Sequence, residues 1–173
     1  FYFSLDPQIG WACGIDGKIM KTKNGGENWE SLESGTSNDL IDVWFSNDKN
    51  SGWVCGEQNT LLHSQNGGES WQYQNTMDIA YDFNCLFFIR DGKEGWLCGT
   101  DGVILHKNEG ETIWERQNTP ISENLVSLFF LEDGKTGWVS GSNNTLLHTN
   151  NGGLSWKKIN SYKKFPAYWY IIS

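Results

Sequence analysis

Gly52-Trp53-Val54-Cys55-Gly56, then Thr60-Leu61-Leu62-His63-Ser64, Asn66-Gly67-Gly68 and Trp71, form one complete phrase that this chain repeats four times. The other copies read Gly10-Trp11 … Asn24-Gly25-Gly26 … Trp29, Gly95-Trp96 … Glu109-Gly110 … Trp114, and Gly137-Trp138 … Asn151-Gly152-Gly153 … Trp156. The Gly-Trp tryptophans stand at 11, 53, 96 and 138, and the second tryptophans at 29, 71, 114 and 156. Both series advance by 42, 43 and 42 residues. Two markers drifting in lockstep identify one structural unit copied in tandem. A period in the low forties is that of a propeller blade.

Each copy reads as four strands. The run Leu40-Ile41-Asp42-Val43-Trp44-Phe45, with counterparts at 84–89 and 125–131, is apolar at nearly every position. It suits a strand covered on both faces, the inner strand of a blade. Turn-rich segments such as Asn47-Asp48-Lys49-Asn50 close a hairpin onto the second strand, here Gly52–Gly56, with Asp91-Gly92-Lys93 as the counterpart in the third copy. The third strand follows at 60–64, then the Asn-Gly-Gly turn, then a short outer strand opening at Trp71 whose residues alternate with polar ones. The fold class is therefore all-β, a β-propeller of four-stranded antiparallel blades.

The repeats fall at about 1–39, 40–82, 83–124 and 125–166 within one propeller segment. Residues 1–4 align with 43–46, inside a first strand, and 167–173 align as the first strand of a fifth repeat. The expectation is a piece of a larger, six- to eight-bladed propeller. The alternative is a closed four-blade ring. On the first reading the terminal blades expose apolar faces, and the isolated chain self-associates.

Bulk properties narrow the function classes. The chain has 173 residues, 13 basic and 21 acidic, for a net charge of −8. No basic footprint for nucleic acid is visible, and no apolar run is long enough to span a bilayer. Cys13, Cys55 and Cys98 occupy one repeat position beside Gly, and Ser140 replaces them in the fourth copy. That exchange marks a small packed residue. Equivalent positions in successive blades diverge, so neither a disulfide framework nor a metal site is expected from them.

The turn before the second tryptophan, Ser64-Gln65-Asn66-Gly67-Gly68-Glu69-Ser70-Trp71, resembles the Asp-box of the bacterial neuraminidase repeat. Thr22 to Trp29 and Thr149 to Trp156 repeat it, while Lys107-Asn108-Glu109-Gly110-Glu111-Thr112-Ile113-Trp114 is eroded. A short polar side chain caps the amides of the tight turn, and Gly adopts backbone conformations other residues resist. The structural residues of these boxes are Asn24, Gly26, Trp29, Asn66, Gly68, Trp71, Trp114, Asn151, Gly153 and Trp156. The longer phrase running from Gly-Trp to Trp is similar to the photosystem II stability and assembly factor repeat subgroup. That resemblance implies a non-enzymatic scaffold for protein binding or assembly, with a role that depends on a basic surface patch. No such patch is visible in this sequence.

Candidate chemistry is sparse. His63, His106 and His148 are repeat-equivalent, with Lys21 in the first copy, which reads as packing rather than metal ligation. Sialidases, which carry Asp-boxes, use an arginine cluster, and Arg90 and Arg116 are the only arginines here. Carboxylates off the motif include Asp42 and Asp82, the best residues for a carbohydrate-active alternative, glycosidase or sugar-binding. Tyr81 and Trp44 are the off-motif aromatics nearest a contact role, Trp169 being a further inner-strand candidate. The binding candidates are thus Tyr81, Asp42, Asp82 and Trp44. No catalytic residue, metal or cofactor is assigned. The expected partner is a protein, with carbohydrate as the alternative, no nucleic acid and no membrane insertion. The expected location is extracellular, cell-surface or periplasmic.

Overall fold

Each copy of the repeat folds into one four-stranded antiparallel sheet. The computed structural model describes residues 1–76 and 81–159. Strands β1 (Tyr2–Phe3), β2 (Gly10–Cys13), β3 (Ile19–Thr22) and β4 (Glu30–Leu32) pair in chain order. So do β5 (Leu40–Phe45), β6 (Gly52–Gly56), β7 (Leu61–Ser64) and β8 (Gln72–Tyr73). The third sheet holds β9 (Phe83–Ile89), β10 (Glu94–Gly99), β11 (Ile104–Lys107) and β12 (Glu115–Arg116). The fourth holds β13 (Leu125–Phe130), β14 (Gly137–Gly141), β15 (Thr145–Thr149) and β16 (Lys157–Lys158). These up-and-down sheets are propeller blades. The fifth-repeat strand expected at 167–173, with Trp169, lies outside the described residues. No helix among the described residues is long and apolar enough to cross a membrane.

The chain divides into two units, Phe1–Phe83 and Asn84–Ser173. In each, one blade packs on the next through a core built to one plan. In the first unit the core is Trp11, Ile19, Leu40, Val43, Phe45, Val54 and Leu62. Each of these recurs 85 positions later in the second, as Trp96, Ile104, Leu125, Leu128, Phe130, Val139 and Leu147.

The centre of this plan is a phenylalanine held on three sides. Phe45 ends β5 and lies over its cross-strand partner Gly52, where any side chain would strike the ring. Trp11 of the preceding blade stacks on it, centroids 3.7 Å apart and planes within 11°. Trp71 of its own blade meets it edge-on at 5.8 Å. The second unit repeats this arrangement: Phe130 over Gly137, stacked by Trp96 at 3.8 Å and met edge-on by Trp156 at 5.8 Å. Such aromatic pairs add roughly 0.5–1.5 kcal/mol beyond the area they bury. The indole N–H of Trp11 also donates to the Gly67 carbonyl at 3.2 Å, and that of Trp96 to Gly152 at 3.4 Å. Trp11 and Trp96 therefore each lock their blade onto the Asp-box turn of the following one.

Burial differs from the sequence expectation in one respect. The strands buried throughout are the second ones, β6 and β10, whereas β5 leaves Ile41 42% exposed. The second strand has a neighbour along each edge, while the first is itself a sheet edge, and β5 also slips register between Leu40 and Asp42.

Candidate functional site

The Asp-box turns show what their side chains do. Asn24, Asn66 and Asn151 each accept, through Oδ1, the amide of the residue four positions on, at 2.9–3.0 Å. The hydroxyls of Thr22, Ser64 and Thr149 accept the amides of Gly26, Gly68 and Gly153 at 2.8–3.0 Å. The paired glycines take positive φ, +72° and +90° at Gly67 and Gly68, which a side chain would strain. In the eroded copy Lys107 replaces the capping hydroxyl, and Glu111 instead accepts from Asn108. The Asn and Gly residues of the three intact boxes thus close their own turns.

The repeat-equivalent basic side chains also pack. His63 stacks on Trp53 at 4.1 Å, His106 on Trp96 at 4.6 Å, and His148 tilts against Trp138 at 5.2 Å. Lys21 sits over the Trp11 ring at 5.2 Å. Each lies directly across the sheet from its indole. Among the described residues no cluster of three His, Cys, Asp or Glu side chains is placed to hold a metal ion. Cys13, Cys55, Cys85 and Cys98 are free thiols. Burial, with the Asp42 charge added, pushes the Cys13 thiol up to about 12.

The four binding candidates all fall in the first unit, where each has a local role. Asp82 accepts the amide of Gln58 at 2.9 Å, capping a turn in which Gln58 and Asn59 both have positive φ. Asp39 does the same for Asp16, and Asn124 for Asp101. The Tyr81 carbonyl accepts the amide of Asn59 in that same turn, at 2.7 Å. Asp42 sits at the β5 register shift, accepting from Val43 at 2.9 Å. Trp44 is half-buried and faces the ring of Tyr2 at 6.2 Å.

The cleft with convergent polar groups lies in the second unit, has a volume of about 420 Å³, and includes none of those four. Its floor is Glu94, the first residue of β10, whose side chain is 10% exposed. One carboxylate oxygen accepts from Arg90 Nη1 at 2.8 Å, and the other lies 3.2 Å from His106 Nε2. Burial holds His106 below its usual range, outweighing the upward pull of Glu94. The Asn151–Leu154 turn forms one wall, where Gln117 Nε2 donates to the Gly152 carbonyl at 2.8 Å. Arg116 and Lys135 also line the cleft. With donors and acceptors of both signs, the cleft can hold a polar, main-chain-like ligand by hydrogen bonds. Its buried carboxylate is already engaged by a guanidinium and an imidazole. Glu94 escaped sequence reading, although it was visible as a departure from the repeat: Ile9, Ser51 and Thr136 hold its position in the other copies.

The family model described as photosynthesis system II assembly factor YCF48 matches the chain over residues 1–77, 27–127 and 74–173, its whole length. No protein of curated function matches it in sequence. YCF48 from Cyanidioschyzon merolae is similar at 26% identity and a TM-score of 0.64, over 75% of this chain and 42% of that one. A structure of YCF48 bound to D1 peptide is similar at 18% identity and a TM-score of 0.54, over 90% of this chain and 78% of that one. The GH74 enzyme of Niastella koreensis is similar at 14% identity and a TM-score of 0.77, over 88% of this chain and 27% of that one. The chain thus spans less than half the length of the first of these structures.

Proposed function

We propose that this chain, which belongs to the photosynthesis system II assembly factor YCF48 family, is a non-enzymatic assembly scaffold that binds a peptide segment of a partner protein. The observation that carries this reading is the family match along the whole chain. A related structure described as bound to D1 peptide supplies the class of ligand. The polar cleft of the second unit is the place the chain offers for such a segment, with Arg116 and Lys135 for carboxylates. The half-buried aromatics Tyr81 and Trp44 offer a further contact surface in the first unit. The likeness to the GH74 enzyme, at 14% identity, concerns fold alone, because sites are grafted on folds.

The test is fluorescence anisotropy of a labelled D1 peptide titrated with this chain, compared with a double variant, Arg116→Ala and Lys135→Ala. Saturable binding that weakens at least tenfold in the double variant supports the reading. Absence of binding, or hydrolysis of xyloglucan oligosaccharides by the chain, sinks it.

A further inference from the structure

Two cysteines of the third blade stand opposite each other on neighbouring strands. Their register follows from the contact between a phenylalanine and the glycine beneath it. Phe45 is paired with Gly52 across β5 and β6, and Phe130 with Gly137 across β13 and β14. In the third blade the Phe88 ring covers Gly95 in the same way, so that any side chain at Gly95 would strike it. Three residues back from Phe88 along β9 is Cys85, and three residues on from Gly95 along the adjacent β10 is Cys98. The pairs at this step in the other blades are Asp42 with Cys55 and Ser127 with Ser140. Only the third of these blades sets a thiol against a thiol.

Opposed residues of an antiparallel pair share one face of the sheet and hold their Cα atoms roughly 4.5–5.5 Å apart. A disulfide bridges Cα atoms about 4.4–6.8 Å apart. Both side chains enter the same packing. Cys98 is part of the core of the second unit and fully buried, and Cys85 packs against that core. Small side chains suit the place, since the fourth blade fills it with two serines.

We propose that Cys85 and Cys98 form a redox pair that closes to a disulfide and fastens β9 to β10. The oxidant is a small-molecule disulfide such as glutathione disulfide. Cys85 is half-buried where Cys98 is fully buried, so it is the thiol reached first. Its thiolate attacks the oxidant, the oxidant's S–S bond breaks, and a mixed disulfide forms as one glutathione leaves. The Cys98 thiolate then attacks the Cys85 sulfur, and the second glutathione leaves. The two protein thiols have given up two electrons and two protons, and the oxidant has become two thiols. The ladder already holds the strands side by side, so the closing step is intramolecular and needs no change of register. Excess thiol reverses both steps.

The test oxidises the folded 173-residue chain in a glutathione redox buffer, alkylates the remaining thiols and digests with trypsin in the absence of reductant. Cleavage after Arg90 and Lys93 leaves the two cysteines on separate peptides, so their bond is read as a linked pair that reductant separates. Oxidation is expected to yield that pair and to raise the melting temperature by at least about 5 °C. Cys85→Ser and Cys98→Ser copy the serines of the fourth blade, and each is expected to lose both the link and the shift. Either variant serves if the other misfolds. Cys55→Ser, which removes the thiol opposite Asp42, is expected to keep both. No linked pair, Cys85 left as the mixed glutathione disulfide, links to Cys13 or Cys55 instead, or a link that leaves the melting temperature unchanged would each overturn the proposal.

Discussion

Gln117 holds the tryptophan of the following blade: Trp156 Nε1 donates to Gln117 Oε1 at 3.1 Å, while Gln117 Nε2 donates to the Gly152 carbonyl at 2.8 Å. One amide thus clamps both ends of the fourth Asp-box. Gly153 lies so close beneath it that any side chain there would displace it. In the first unit Lys21 gives the equivalent carbonyl, Gly67, its second donor at 3.1 Å.

Replacing Gln117 with Leu keeps the bulk and removes both hydrogen bonds. It leaves a buried indole N–H without its acceptor, which costs about 1–3 kcal/mol. The expected result is a lower denaturation midpoint with an unchanged slope, and a red-shifted tryptophan emission. An unaltered midpoint would show that the clamp carries no stability.

Asn66→Ala removes the oxygen that caps the Ser70 amide at 3.0 Å. By analogy with helix caps, the loss is about 1 kcal/mol. Asn66→Asp retains the oxygen and is expected to fall within about 0.5 kcal/mol of wild type. The contrast is read from paired urea titrations. Equal losses in both variants would mean that the amide nitrogen, bonded to Ser70 Oγ at 2.9 Å, matters more than the cap.

The His106 site makes stability depend on pH. Its ring titrates below the usual histidine range in the folded chain because it is buried. The unfolded chain therefore takes up the proton first as pH falls. The contribution is fully present above about pH 6.5, the ordinary histidine value, and is lost as pH falls toward the lower folded value. A melting temperature that declines from pH 7 to pH 5, with a smaller decline in His106→Gln, is expected. Equal slopes in the two proteins would refute the assignment.

Cys13 is held protonated by burial and by the Asp42 charge, with its thiol at about 12. At pH 8 its alkylation by iodoacetamide should run about 10³-fold slower than that of an unperturbed thiol. Asp42→Asn should raise that rate modestly, since burial is the larger cause. Mass mapping of modified cysteines over time reads both effects. Rapid labelling of Cys13 in the wild type would contradict them.

Most of the architecture was legible because the repeat supplied it four times over. The Gly-Trp strand, the Asn-Gly-Gly turn and the second tryptophan each lie where the spacing predicts, and the histidines pack on indoles as their equivalence suggested. The inner strand was misjudged: an apolar run such as 40–45 records composition, whereas burial depends on how many neighbours the strand has. The candidate cleft was less legible. Glu94 matters through Arg90 and His106, and the approach of His106 depends on cross-strand register. Asp82 caps a turn through one oxygen, a role that sequence does not distinguish, since an aspartate ahead of a strand reads the same whether it faces a ligand or a backbone amide.

The acceptors at Gly67 and Gly152 are main-chain oxygens. Substituting the capping side chains of those turns leaves the carbonyl in place as long as the positive-φ glycines keep the path of the backbone. The blade-to-blade lock therefore rests on an indole at one end and on the backbone path of a glycine turn at the other. The polar positions of the turns can drift, as they have in the third copy, while the glycines and the Gly-Trp pairs remain under constraint. A repeat built in this way has room to change at its polar loop positions, where new recognition surfaces can arise on an unchanged set of tryptophans.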